Sequence, residues 1–447
     1  MANSYSWRFV NVFFLFSLSL AQDEVVINLL FPAQGSTTPD TRPTDNALIS
    51  HTLDSSIPAP TNFAWSVQGN SQPLAYTLFV SEDSAFDSAD IVVSDYTDTM
   101  FPLWNVKIAT PYYWKITGKD SSNNEWNSPV FSFTTSDAWP RMIYIDGTTN
   151  VRDIGGRRTM DGFMIKQGVF YRSAELNESF PITEKGIGQL MALGIACEID
   201  LRNSSENPQA VLPPSVRYIR PVTELGGGII EYQPGLVATA SLYRDVFKQM
   251  ADKKNYPMIC HCRLGADRAG TVTAVLEALL GCSEHQMGLN YQWTSLSVIG
   301  VRDTTYIEWK DIISYLKSFD KQNATVQAGA WNYLQTIGMT VDELMAIRTT
   351  FIDDDRQPYP ELSIKPYARI PRTIQHRQSR QYFLHSSRGF IVMKKGVRRI
   401  KVFDLSGKKI WEFTRTHFDA ETKVHAPLLA NKTYIVYSVK EAALPQL

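Results

Sequence analysis

The chain reads as a multidomain protein with a β-rich N-terminal module, a central α/β domain and a small C-terminal β domain. Three observations carry that reading. Short alternating β runs fill the chain to about residue 137, strand and helix patterns alternate to about 352, and β runs return from about 381. At 447 residues there is room for two or three domains. A formal net charge of −1, with no Lys/Arg-rich run, argues against a nucleic-acid partner or an electrostatic grip on anionic lipid.

The first stretch stands apart. Phe9 to Leu20 is mostly apolar, follows Arg8 and ends in Ser19-Leu20-Ala21 before Gln22-Asp23-Glu24. That is the layout of a secretory signal peptide over 1–21 cut near Ala21, and the run is well short of the ~20 apolar residues that span a bilayer. The expected location is therefore secreted, cell-surface or periplasmic, with no integral membrane segment after cleavage. The four cysteines, Cys197, Cys260, Cys262 and Cys282, all fall in the middle of the chain. This is not the distribution of a disulfide-built scaffold.

Residues 22–137 contain the runs Asn62–Val67, Leu74–Val80, Tyr112–Thr117 and Val130–Thr135. Period-two alternation, aromatic and β-branched residues, and Pro/Asn/Ser/Gly separators predict a β-sandwich of about seven strands. The order of the pieces, with Trp65, Tyr76–Val80, Pro111–Ile116 and Phe131-Ser132-Phe133, resembles a fibronectin type III or related immunoglobulin-like module. Such modules space or bind, and the aromatics here read as core.

The α/β domain, 138–352, opens with Asn150–Gly156 and Gly168–Ala174. A helix follows, with Thr183 as N-cap, running to about Leu193 and stopped by Gly194. Ile195–Leu201 reads as a buried strand, Val216–Ile219 as a second, and Gly226-Gly227-Gly228 as a loop. A long helix over about 237–252 leads to the apolar run Pro257–Cys260. A helix from Thr271 to Leu280 stops at Gly281, and further helices are expected near 304–319, 326–337 and 340–352, the last with the capping box Thr340/Glu343. Residues 353–380 read as a linker. In 381–447 the runs 390–393, 400–404, 409–413 and 433–437 are strand-like, with a turn at Leu405–Lys408. The stretch Val402–Lys409 resembles the C-terminal sorting domains of secreted bacterial proteins, a plain accessory β domain being the equal alternative.

The chemistry concentrates in His261-Cys262-Arg263-Leu264-Gly265-Ala266-Asp267-Arg268-Ala269-Gly270-Thr271. A strand, a glycine-bearing loop and a helix N-terminus make an anion pocket from backbone N–H groups and the helix dipole. Cys262 in that field is expected to be poised as a thiolate nucleophile, and Arg268 offers a two-pronged fork for phosphate oxygens. The chemistry suggested is attack on phosphorus.

This loop resembles the phosphate-binding loop of cysteine-based protein tyrosine phosphatases. With Asn150–Gly156, Tyr171-Arg172-Ser173 and Ile199-Asp200-Leu201-Arg202, the region 140–352 looks like the bacterial tyrosine phosphatase subfamily that carries an Asp inside the loop. The resemblance implies a central, mostly parallel sheet of four or five strands with flanking helices. It implies that Cys262 forms a phosphocysteine intermediate. Arg268 and the N–H groups of Arg263, Leu264, Gly265, Ala266, Asp267 and Arg268 would bind the phosphoryl group, with His261 orienting the loop. No metal or organic cofactor is implied.

The leaving oxygen needs a proton. Leu201–Arg244 contains no Asp, so the candidates are Asp267, which the resemblance favours, and Glu224 or Glu231. The other reading of Asp267 is a carboxylate that stiffens the loop by pairing with an arginine. Two departures stand out: Ala269 replaces the family's usual Ser/Thr, a loss for which Thr271 is a partial substitute, and Ala266 sits where relatives active on phosphoinositides carry Lys. Asp153 and Arg152 are expected to brace the pocket, Arg172, Asp200 and Arg202 to be structural, and Cys260 to be a core cysteine rather than a redox partner. The substrate implied is a phosphorylated protein or a small phosphomonoester, including phosphoinositides or inositol phosphates. A rhodanese-type sulfurtransferase and an idle phosphate-binding surface protein are the competing readings.

Overall fold

The computed structural model describes residues 25–42, 56–69, 73–87, 91–122 and 124–353, together with strands between 380 and 440. The leader-like run, residues 354–379 of the expected linker and the Leu405–Lys408 turn lie outside the described residues. The chain divides into two units.

Among the described residues the first unit takes in 25–37, 62–102 and 111–134. Its strands are β1 (Val26–Phe31), β2 (Ser36–Thr37), β3 (Thr61–Gln68), β4 (Ala75–Ser81), β5 (Ile91–Tyr96), β6 (Met100–Leu103), β7 (Pro111–Lys119), β8 (Glu125–Asn127) and β9 (Phe131–Thr134). They form one sheet in the order β1-β3-β6 and another in the order β2-β9-β7-β4-β5, with β8 on β7. Alternation along β7 buries Tyr112, Trp114 and Ile116, and Phe63 meets Trp114 edge-on at 5.1 Å between ring centroids. The aromatics are core, as the period-two pattern predicts.

Among the described residues the second unit takes in 38–42, 56–61, 103–110 and those from 135 on. The first three segments fall in the stretch expected to form the N-terminal module, and polar contacts tie residues 105–108 to the α/β part. The Ile108 N–H and carbonyl both bond the Gln167 amide, at 2.9 and 2.8 Å. Arg141 donates to the carbonyls of Val106 and Asn105, and the Asn105 side chain pairs with the Tyr144 backbone. Nothing in a hydropathy pattern marks such side-chain-to-backbone stitching.

The unit is built on a six-stranded sheet. Its strands are β10 (Arg141–Met142), β11 (Arg152–Asp153), β13 (Phe170–Ser173), β14 (Cys197–Asp200), β15 (Arg217–Ile219) and β16 (Met258–His261), in the order β10-β11-β13-β16-β14-β15. The pairings β13/β16, β16/β14 and β14/β15 are parallel, whereas β10 and β11 run antiparallel at one edge. A short antiparallel ribbon pairs β12 (Met164–Ile165) with β17 (Ile352–Asp353). All four residues of β16 are buried, as a central strand covered on both faces requires.

The helices are α1 (Glu184–Ala192), α2 (Tyr232–Ala238), α3 (Ala240–Ala251), α4 (Arg268–Leu280), α5 (Glu284–Gln292), α6 (Ile307–Ser318), α7 (Val326–Thr336) and α8 (Val341–Phe351). Thr183 caps α1 by accepting from the Gly186 N–H, and Thr340/Glu343 form the expected capping box of α8. The single long helix expected over 237–252 is instead two, α2 and α3. Thr239 breaks it: its backbone leaves helical geometry (φ −117°, ψ 31°) and its hydroxyl accepts from the Ile230 N–H. The sequence reading also passed over α5, whose Ser283/Gln286 capping box was there to be found. Helix α4 is apolar nearly all round and is buried along its length from Ala269 to Leu280. It packs in one core with Cys197, Ile199, Met258 and Cys260 of the sheet, while Tyr171, Ile259 and Leu190 belong to a second core.

Six further strands, Arg380–His385, Phe390–Met393, Val397–Phe403, Lys409–Thr414, Thr422–His425 and Thr433–Lys440, form a four-stranded and a two-stranded antiparallel sheet. The strand-like runs read in this tail fall on strands, except that Asp404 lies outside the described residues. Among the described residues no helix is long and apolar enough to cross a membrane.

Candidate active site

The site sits where β16 ends and α4 begins. Cys262 follows the last residue of the central strand, and Arg268 is the first residue of the helix. Between them the chain turns through Gly265 at φ +67°, where a Cβ would lie 2.1 Å from the Ser173 carbonyl oxygen. Only glycine fits there. Gly265→Ala is expected to cost at least about 1–3 kcal/mol of stability and to lower turnover further by deforming the loop. Urea melts and steady-state kinetics on the same preparation check both.

The loop's carbonyls are held from the interior. Asn150 Nδ2 donates to Leu264 O at 3.1 Å, and Arg172 Nη2 donates to Gly265 O at 2.7 Å and Ala266 O at 3.2 Å. Because each peptide unit is planar and trans, the N–H groups of Gly265, Ala266 and Asp267 point the opposite way, out of the interior. This is a nest of donors at a helix N-terminus, suited to an anion's oxygens. Arg172 is nearly inaccessible, and burial holds its guanidinium below the usual range against the opposing pull of Glu277, Cys262 and Cys260. Its positive charge lies directly under the loop.

Arg268 is oriented by a residue the sequence reading did not single out. Its Nη1 and Nη2 donate to the two carboxylate oxygens of Glu206, at 2.6 and 2.7 Å. Glu206 is fixed in turn by accepting from the Asn203 N–H at 2.9 Å, half of a capping box around Ser204–Glu206. One edge of the guanidinium is thus tied, and Nη1 also donates to Leu201 O at 3.4 Å, leaving Nε and the second Nη2 hydrogen for a ligand. Burial works against the Arg268 charge, yet Glu206 and Cys262 more than offset it and raise its pKa.

His261 is fully buried beneath the loop. Its Nε2 lies 2.9 Å from Glu198 Oε1, and its Nδ1 lies 3.8 Å from Asp200 Oδ1. Asp200 is gripped by Arg202, which also donates to Glu175 and Asn177. Burial opposes the imidazolium, but Asp200 and Glu198 outweigh it and lift the His261 pKa above its usual 6.5. The sign follows: the charged form's stabilisation is complete below pH 6.5 and is lost as pH rises through the higher folded-state value. Thermal melts across pH should show that loss, and His261→Asn should remove it.

Asp267, the expected proton donor, is the loop residue before Arg268, and every described contact of its carboxylate is a donor. Arg302 Nε reaches its Oδ1 at 2.8 Å and Arg302 Nη2 its Oδ2 at 2.9 Å, and the Tyr232 hydroxyl also donates to Oδ1. Tyr232 is itself held in the left-handed region (φ 59°), its N–H donating to Thr271 Oγ1 at 2.8 Å. Of the competing acids, Glu224 is exposed on a turn and Glu231 directly precedes Tyr232, near enough to act on the Arg268 charge.

The remaining expected residues sit as follows. Arg152 is inaccessible and spends its donors on Asn150, Asn290 and Thr294, so it braces the loop through Asn150. Asp153 bonds Arg141 and the N–H groups of Gly155 and Gly168. Both are buried supports. Thr271 donates its hydroxyl to the Asp267 carbonyl at 2.9 Å, so its proton is committed there and does not stand in for a hydroxyl at Ala269. Ala269 is fully buried in the α4 core. Arg263 is the exposed cation of the loop. All four cysteines are free and buried, and burial pushes the Cys260 thiol well up, as for an inert core thiol.

Residues 143–353 match the family model described as "Tyrosine phosphatase family". This region is similar to tyrosine phosphatase domains, and the match supports a phosphatase. The match covers the sheet from its second strand, the loop and all eight helices named above, and contains every residue placed in the site except Arg141. No curated protein matches the chain. Among solved structures, an α-L-rhamnosidase from Dictyoglumus thermophilum is 16% identical over 25% of this chain and 12% of its own, with a TM-score of 0.17. The chain thus spans about an eighth of that protein's length, and a likeness so slight carries no argument.

Proposed function

We propose that the chain is an exported, cysteine-dependent protein tyrosine phosphatase. Cys262 attacks phosphorus and forms a phosphocysteine, Arg268 and the loop N–H groups hold the phosphoryl oxygens, and water then releases phosphate. The observation that carries the reading is the join of β16 to α4. In support, a thiol stands at the start and an arginine held by Glu206 at the end of one inward-braced loop with outward N–H groups. Charge developing on the phosphoryl oxygens meets donors that need no reorganisation, the largest usual contribution to such a reaction. Loop N–H groups, the helix dipole and Arg268 supply positive potential without a metal or organic cofactor.

An aryl phosphate is favoured over a polyphosphorylated inositol because Ala266 brings no cation to the loop and is fully buried. Export rests on the Phe9–Leu20 run and its small-residue end. The test is turnover of phosphotyrosine peptides, p-nitrophenyl phosphate, phosphoinositides and phytate under reducing conditions. Vanadate-sensitive activity greatest on phosphotyrosine is expected. Absence of turnover on all four substrates, or activity that survives Cys262→Ser, would overturn the reading.

A further inference from the structure

The loop's aspartate is the best-held side chain at the mouth of the site, and the groups holding it come from outside the loop. Arg302 follows the Trp293–Leu296 turn, and its N–H bonds Ser295 Oγ at 2.8 Å, which locks its backbone to that turn. Its guanidinium then grips both oxygens of Asp267, and Nη1 is spent on the Val301 carbonyl at 3.0 Å. Tyr232 approaches Asp267 from the opposite element, α2, and its hydroxyl also lies 3.0 Å from that of Tyr291. Tyr291 in turn stacks on Trp309 with ring centroids 4.8 Å apart. Asp267 is therefore fixed by a frame drawn from α2, α5, α6 and the 293–302 segment.

A carboxylate oxygen offers two lone-pair positions. Oδ1 has both filled, by Tyr232 and Arg302 Nε, whereas Oδ2 accepts from Arg302 Nη2 alone. We propose that Arg302, with Tyr232, is a positioning residue for the proton-handling step, and that Oδ2 of Asp267 is the atom that carries the proton. This rests on the phosphatase reading above. As the bond from Cys262 Sγ to phosphorus forms and the bond to the aryl oxygen breaks, the proton on Oδ2 passes to the leaving oxygen. When water attacks the phosphocysteine its proton returns to Oδ2, the sulfur–phosphorus bond breaks, and the thiolate is regenerated with phosphate released. A paired arginine of this kind could otherwise only stiffen the loop, and the two roles separate by leaving group. Proton donation matters for a phenol like tyrosine and little for dinitrophenol, which departs unprotonated.

The experiment compares kcat/KM, which reports the first half-reaction, for phosphotyrosine and for 2,4-dinitrophenyl phosphate. Wild type, Arg302→Ala, Arg302→Lys, Tyr232→Phe, Asp267→Asn and the Arg302→Ala/Asp267→Asn double variant are measured on the full chain, each with a melting curve. Arg302→Ala is expected to lower the phosphotyrosine value about tenfold or more and the dinitrophenyl value far less. The double variant should match Asp267→Asn alone, and Tyr232→Phe should shift in the same direction by a smaller factor. Equal losses on both substrates, no loss on phosphotyrosine, or losses that add to those of Asp267→Asn would overturn the proposal. If Arg302→Ala does not fold, Arg302→Lys and Tyr232→Phe decide it by the same substrate ratio. Wild-type turnover of neither substrate would sink the phosphatase reading itself, a distinct failure.

Discussion

Cys262→Ser is expected to abolish measurable turnover of every phosphomonoester, a loss on the order of 10⁴-fold or more. Serine is close in shape and slightly smaller at a site only 2% exposed, so the loop should keep its shape. Its hydroxyl, however, is a far weaker nucleophile, and no described neighbour stands as a general base for it. His261 is adjacent in sequence, but its Nε2 is bonded to Glu198 and its Nδ1 faces Asp200 at 3.8 Å. The Asn150 and Arg172 bonds to the loop carbonyls do not involve residue 262 and should persist. The variant is thus expected to bind phosphotyrosine peptide with near-native affinity while failing to cleave it. Isothermal titration beside a kinetic assay checks both halves. A variant that keeps a tenth of wild-type activity would remove Cys262 from the mechanism.

Arg268→Lys is expected to lower kcat/KM by about 10²–10³, despite keeping the charge. Lysine presents a point charge on a flexible stem, and arginine a planar fork. The geometry here makes that difference unusually costly, because two guanidinium nitrogens are already bound to Glu206. An ammonium placed against Glu206 has little left for a phosphoryl group. Glu206→Gln should act in the same direction and less strongly, since it loosens the fork without removing it. Equal kinetics for Arg268→Lys and wild type would contradict the assignment of Arg268 as the phosphate clamp.

The loop was legible in the sequence because its parts are contiguous. Cys262, Gly265, Asp267 and Arg268 fall within a few residues of one another, between an apolar strand and a helix whose stop, Gly281, adopts φ 98° as expected of a C-terminal glycine. The frame around the loop was not legible, because its members come from far along the chain. Glu206 reaches Arg268 across 62 residues, Arg302 reaches Asp267 across 35, and Asn150 reaches Leu264 across 114. No spacing rule connects such positions without the fold. Asp267 shows the consequence most clearly. Read along the chain it is an acid beside an arginine, Arg268; in the folded protein its arginine is Arg302, and Arg268 belongs to Glu206. The tie between residues 105–108 and the α/β part was not legible for a related reason. A change from β-rich to alternating texture marks where the pattern of elements changes, but the Ile108 and Asn105 contacts to Gln167 and Tyr144 carry no periodicity.

Trapping the covalent intermediate tests the central claim most directly. The protein is mixed with a phosphorylated aryl substrate, quenched in acid within the first turnover, digested and mapped by mass spectrometry. A phosphoryl group on the sulfur of Cys262 is the expected result, absent in Cys262→Ser and diminished in Arg268→Lys. Turnover with no phosphoryl-enzyme at any quench time, or with the label on another residue, would contradict it.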